Sequence, residues 1–192
     1  MINRIIAVPI ALAVLLCSPP VNCASEPVPV REIHVEVSRS YTALEAEREP
    51  VKPRFNVQLS ENLQELVYSE CMARGVDPYL AIAVMLQENR GFDPSIISSS
   101  NDYGLFQINR INHKRMADLG YADMLNAEDN IKAGVYILAE CLNNSNSYHE
   151  ALMAYNMGRG GANKAMAKGF YQTNYSRGVM AFFEGLKAGE KY

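Results

Sequence analysis

Gly75-Val76-Asp77-Pro78-Tyr79-Leu80-Ala81-Ile82-Ala83-Val84-Met85-Leu86-Gln87-Glu88 is the stretch that decides the fold. Gly75 stops one helix. Asp77 suits the N-cap of the next and Pro78 its first helical position. Residues 79–86 are apolar almost all round, which predicts a central, buried helix. That helix is expected to end near Gly91, with Glu88 in its last turn.

Helical spacing continues on both sides. Leu59, Leu63, Leu66 and Val67 define one apolar face upstream. Downstream, Ile131, Val135, Leu138 and Leu142 define another. Ser147-x-x-Glu150 reads as a capping box opening a helix through Ala151-Leu152-Met153-Ala154-Tyr155. A last helix carries Val179, Phe182, Phe183 and Leu186. Residues 92–109 are polar with few helix signals. The expected domain, residues 57–192, is therefore mainly α with one irregular or small β excursion.

Glu88 is the odd residue of the buried helix. Apolar surroundings disfavour its charged form, and so does the partial negative charge at a helix C-terminus. Both favour a carboxyl that keeps its proton near neutral pH, as a general acid in glycosidic bond cleavage must. The alternative is an exposed Glu beside Gln87, Asn89 and Arg90.

Of the 192 residues, 48% are apolar and 20% charged, the profile of a foldable chain. The net charge of −3 comes without any basic block, which argues against nucleic acid as a partner. No internal repeat is visible. His34, His113 and His149 lie far apart and no Cys-x-x-Cys occurs, so neither a metal nor another cofactor is expected.

Residues 1–24 read as a signal peptide: Arg4, an apolar run over 5–16, then small residues near Cys23. The run falls short of the roughly 20 residues of a spanning helix. An uncleaved anchor is the alternative, and Cys17 or Cys23 fits lipidation poorly. The protein is expected to be exported to the periplasm, cell wall or exterior. Residues 25–56, rich in proline, read as a linker or pro-segment in which residues 33–37 alternate like a short strand. Cys71 and Cys141 remain in the domain, where one disulfide or two buried thiols are both open.

Four blocks in order resemble the lysozyme-like superfamily, in particular soluble lytic transglycosylases of the goose-type lysozyme group. These are Gly75 to Glu88 with Phe92-Asp93-Pro94; Gly104-Leu105-Phe106-Gln107-Ile108-Asn109; Asn130-Ile131 with Gly134 and Tyr136; and Ala154-Tyr155-Asn156-Met157-Gly158. The resemblance covers about residues 60–165. It implies a lysozyme-like fold acting on peptidoglycan glycan strands, with Glu88 as catalytic acid and base. It also implies that Gln107 touches the sugar and that Tyr155 and Asn156 position Glu88 and the substrate. Asn109 and Tyr103 are further candidate sugar contacts. Two departures stand out: Asn89 where the family has Ser, and Phe106 where it has Met.

Asp102-Tyr103 before Gly104 also resembles the second-carboxylate block of animal-type lysozymes. Two chemistries follow. Glu88 alone implies a lytic transglycosylase that leaves 1,6-anhydro ends; Glu88 with Asp102 implies a hydrolytic muramidase. Asp102 as a turn-capping residue is the plain alternative. A third reading is a silent wall-binding module of an envelope-spanning secretion or conjugation complex. Gly158-Arg159-Gly160-Gly161 reads as a flexible cleft edge.

Overall fold

The structure, a computed structural model, describes residues 54–192. The expected signal peptide, nearly all of the expected linker and its short strand lie outside the described residues. The elements run α1 (Glu61–Arg74), α2 (Pro78–Glu88), β1 (Asp102–Tyr103), β2 (Ile108–Asn109), a 3-10 turn (Arg110–Asn112), α3 (His113–Asp118), α4 (Ala127–Asn143), α5 (Tyr148–Ala167) and α6 (Asn174–Lys187).

α2 is the axle of the domain. Gly75 ends α1 in the left-handed conformation, at φ 67°. The Asp77 carboxylate then accepts the Tyr79 N–H at 2.9 Å, and Pro78 takes the first helical position. Every residue from Leu80 to Leu86 is buried. Full burial of side chains such as Leu80, Ile82, Met85 and Leu86 contributes about 1.5–3 kcal/mol each. The helix packs chiefly against α6, and also against α1. α6 meets it with Val179, Phe182, Phe183 and Leu186, all buried, as their spacing predicts. A helix apolar on every face is enclosed by its neighbours, and here only its ends, Pro78-Tyr79 and Gln87-Glu88, are half-buried.

α4 buries Ile131, Val135 and Leu138 and leaves Leu142 half-buried. Its second contribution is polar. Asn130, fully buried, accepts the Phe106 N–H at 2.8 Å and donates to the carbonyls of Tyr103 (2.9 Å) and Met124 (2.8 Å). One side chain thereby holds the loop between β1 and β2. The two strands pair antiparallel, Asp102 with Asn109 and Tyr103 with Ile108. Gly104 turns in the left-handed region (φ 73°), where a Cβ would meet Asn130 Nδ2 at 2.5 Å. Gly134, a turn beyond Asn130 on α4, is required for Phe106: a Cβ there would lie 2.1 Å from the ring. The larger side chain at 106 is thus accommodated by a glycine on the facing helix.

Two expectations are corrected, and of the two alternatives for the cysteines one is found. The glycine run after Met157 is no loose edge. α5 continues through it, with a single non-helical residue at Gly158 (φ 71°, ψ 160°). The capping box at Ser147 is half made. Ser147 Oγ accepts the Glu150 N–H at 3.2 Å, but the Glu150 carboxylate accepts from the Asn146 backbone instead. Cys71 and Cys141 are free thiols. Cys71 points into the main core with Val67 and Val76, whereas Cys141 packs beside Met153, Ala154 and Ala162. Burial pushes the two thiols up to about 12 and about 11, so neither is a ready nucleophile.

Candidate active site

Glu88 closes α2, and the buried rod behind it sets its surroundings. It is half-buried, not exposed among its polar neighbours. The hydroxyl of Tyr175, from the first turn of α6, donates to Glu88 Oε1 at 2.6 Å. Burial is the largest influence on the carboxyl and raises it. The Tyr175 hydrogen bond favours the charged form and partly offsets this, and the negative charge of Asp102 raises it further. The result is a Glu88 pKa of about 7. Near neutral pH Glu88 is thus poised between its protonated and charged forms.

The next residue fastens this end of the helix. Asn89 is buried. Its Nδ2 donates to the carbonyls of Asp93 (2.6 Å) and Gly104 (3.3 Å), and its Oδ1 accepts the Asp93 N–H at 3.3 Å. The helix end, the Phe92-Asp93-Pro94 turn and the hairpin loop are tied through one amide. A serine hydroxyl has one proton to give; the amide supplies two donors and an acceptor.

Glu88 faces a groove of about 890 Å³. Asp102, Gln107 and Asn109 line it from the hairpin, and Tyr155 and Asn156 from α5. Their roles differ. Gln107 stands at φ 45° and donates to the Gly104 carbonyl at 2.8 Å, with a longer contact of 3.4 Å to that of Ile96. Its Oε1 is left to accept from a ligand. Asn156 is exposed on the groove. The Tyr155 hydroxyl donates to the Phe106 carbonyl at 2.8 Å, joining α5 to the hairpin loop. Burial raises its ionisation well above the usual tyrosine range.

The Asp102 carboxylate is engaged on both oxygens. Ser98 Oγ donates to Oδ2 at 2.8 Å and Asn109 Nδ2 to Oδ1 at 2.7 Å. Asn109 also donates to the Ser100 carbonyl and accepts the Ile111 N–H, so its amide is fully used within the hairpin. Arg159 lines the groove but is held by Glu150 Oε1 (3.0 Å) and Ser145 Oγ (2.9 Å). Among the described residues no three His, Cys, Asp or Glu side chains cluster as metal ligands.

Residues 66–175 match the family model described as the transglycosylase SLT domain. The chain belongs to this family. No curated protein matches it. Among solved structures, the chain is similar to an inactive mutant of the lytic transglycosylase Slt from Pseudomonas aeruginosa. The TM-score is 0.56 at 15% identity, over 84% of this chain and 30% of that one. That likeness concerns the fold: mostly helical, with a two-stranded sheet at the groove, as the sequence predicts.

Seen as an SLT domain, the chain places its expected residues unevenly. Glu88, Asp102, Gln107, Asn109, Tyr155 and Asn156 come together in one groove. Tyr103 does not line it. β1 turns its ring onto His113, with the ring centroids 4.5 Å apart, where it packs on the core. The resemblance implies that Tyr155 and Asn156 together position Glu88 and the substrate; the side-chain hydrogen bond to Glu88 comes from Tyr175. Tyr175 sits at the last residue of the family match, beyond the four blocks. Its sequence signal is slight: a tyrosine directly after an N-cap pair, Thr173-Asn174, ahead of an apolar stripe.

Proposed function

We propose that this SLT domain is a peptidoglycan lytic transglycosylase that cleaves the β-1,4 bond between N-acetylmuramic acid and N-acetylglucosamine. Glu88 acts first as acid and then as base. The observation that carries this reading is a single carboxyl with a pKa of about 7 in a groove, beside an Asp102 whose oxygens are both engaged by Ser98 and Asn109.

In the first step protonated Glu88 gives its proton to the glycosidic oxygen. The bond from that oxygen to the muramic C1 breaks, and the carbonyl oxygen of the neighbouring acetamido group bonds to C1. In the second step the Glu88 carboxylate takes the proton of the muramic 6-hydroxyl, whose oxygen bonds to C1 as the acetamido oxygen leaves. The product is a 1,6-anhydro end, and Glu88 regains its proton with no water consumed. The Tyr175 hydrogen bond suits both steps, because it steadies the carboxylate that exists between them. Gln107 Oε1 and Asn156 offer acceptors and donors for sugar hydroxyl and acetamido groups. The setting that fits is an exported protein acting at the periplasm or cell wall, alone or within a secretion or conjugation complex.

Mass spectrometry of the sugar ends released from purified peptidoglycan tests this, with Glu88→Gln beside the parent. Anhydro-muramyl ends absent from the variant are expected. Reducing ends would instead make Asp102 a partner in hydrolysis, the reading its place in the groove favours. No ends, with protein pelleting with the wall, would indicate a binding module.

A further inference from the structure

The groove carries two apolar knobs that the chemistry at Glu88 does not use. Ile111 is 86% exposed, the most exposed large apolar side chain among the described residues. Met157 is 39% exposed. Both line the groove, Ile111 from the 3-10 turn and Met157 from α5. A single exposed aliphatic side chain is ordinary on a protein surface. These two differ because the backbone around each is built to present it.

Asn109 Oδ1 accepts the Ile111 N–H at 3.1 Å, and the same Asn109 amide is tied to Asp102 and to the Ser100 carbonyl. Ile111 thus stands on the most cross-linked corner of the hairpin. Met157 directly precedes the non-helical Gly158. Its side chain lies over Gly161, where a Cβ would come within 2.9 Å of Met157 Cγ. The glycine leaves Met157 the space it occupies.

The chain has no tryptophan, and Tyr155 is the one aromatic side chain among the residues lining the groove. Apart from that ring, the apolar contact the groove offers a sugar comes from aliphatic side chains, of which Ile111 and Met157 are the exposed large ones. An N-acetylated glycan offers matching surface: ring C–H faces and one acetamido methyl per sugar. We propose that Ile111 and Met157 form a clamp that grips the glycan through these groups and makes the site selective for N-acetylated over de-N-acetylated strands. This rests on the glycan-cleaving reading of the groove. De-N-acetylation replaces each methyl-bearing amide with an ammonium, which gains nothing from an apolar contact and pays for its desolvation.

The test uses Glu88→Gln protein, which keeps bound glycan intact, and calorimetric titration with the N-acetylglucosamine hexamer and its de-N-acetylated counterpart. Ile111→Ser and Met157→Ser are each expected to weaken hexamer binding about three- to tenfold. Preference over the de-N-acetylated hexamer should shrink by a similar factor, and Ile111→Leu should restore it. Ile111→Ser removes almost no buried contact, so its melting temperature should match that of the parent. Serine variants that bind the hexamer as tightly as the parent overturn the clamp, and so does a parent that discriminates between the two hexamers no better than they do. A parent that cleaves wall glycan yet does not bind the hexamer also overturns it, since the grip then lies elsewhere on the substrate. If Glu88-intact protein releases no sugar ends of either kind, the functional reading fails with it. Released ends with unaffected serine variants sink the clamp alone.

Discussion

The Tyr175 hydroxyl donates to Glu88 Oε1 across 2.6 Å, joining residues that lie 87 positions apart in the chain. The contact exists because α2 and α6 pack along each other, and because the capping box of Thr173 and Ser176 starts α6 at a defined residue. It lowers the Glu88 pKa against a larger upward push from burial.

Tyr175→Phe removes that hydrogen bond and keeps the ring. The Glu88 pKa is expected to rise above about 7, moving the alkaline limb of the pH–rate profile for glycan cleavage upward. The maximal rate should fall about tenfold, because the carboxylate formed in mid-reaction loses its donor. A limb that stays in place or moves down contradicts this role for Tyr175.

Glu88→Gln should abolish release of sugar ends and stabilise the fold at alkaline pH. Below the unfolded value of 4.5 the carboxyl is protonated in both states and makes no difference. Between 4.5 and about 7 the unfolded chain ionises first, so the native protein binds more protons and loses stability as pH rises. Above pH 7 the accumulated cost is on the order of 3 kcal/mol. Melting curves of parent and variant should converge at pH 4 and separate by pH 8, with Glu88→Gln the higher.

Asp102→Asn takes away a negative charge that raises Glu88. The alkaline limb should move down, the opposite direction to Tyr175→Phe. Anhydro ends should persist, at a reduced rate because the hairpin loses charge-assisted bonds from Ser98 and Asn109. Complete loss of product with the fold intact by circular dichroism would favour the hydrolytic reading.

Gly134→Ala sets a Cβ 2.1 Å from the Phe106 ring. Overpacking of this kind costs about 1–3 kcal/mol, visible in urea unfolding. Phe106→Leu alone leaves a void; combined with Gly134→Ala it should recover part of the loss, and a non-additive double-mutant cycle checks the contact.

The helices were legible because their signals are local. Asp77-Pro78 and the apolar run behind it defined α2, and the spacing of Val179, Phe182, Phe183 and Leu186 defined α6. The kink at Gly158 was harder to read, since a glycine run says equally well that a helix ends or that it bends. Only half of the Ser147 box forms, because the Glu150 carboxylate accepts the Asn146 N–H, one residue earlier. Tyr103 is illegible for a related reason: alternation along a two-residue strand does not say which side faces the groove, and its ring packs on His113.

The sequence by itself determined a buried, capped helix ending in a carboxyl, and the order of the blocks placed Gln107, Tyr155 and Asn156 near it. Periodicity and caps act within a few residues, so they are written in the chain. Only the tertiary structure decided that Tyr175 rather than Tyr155 bonds Glu88, that Asn109 and Ser98 occupy the oxygens of Asp102, and that Cys71 and Cys141 stay apart as free thiols. These depend on which helix faces meet, and a hydrogen bond of 2.6 Å between residues 87 apart is set by the packing of α2 against α6, which no local pattern records.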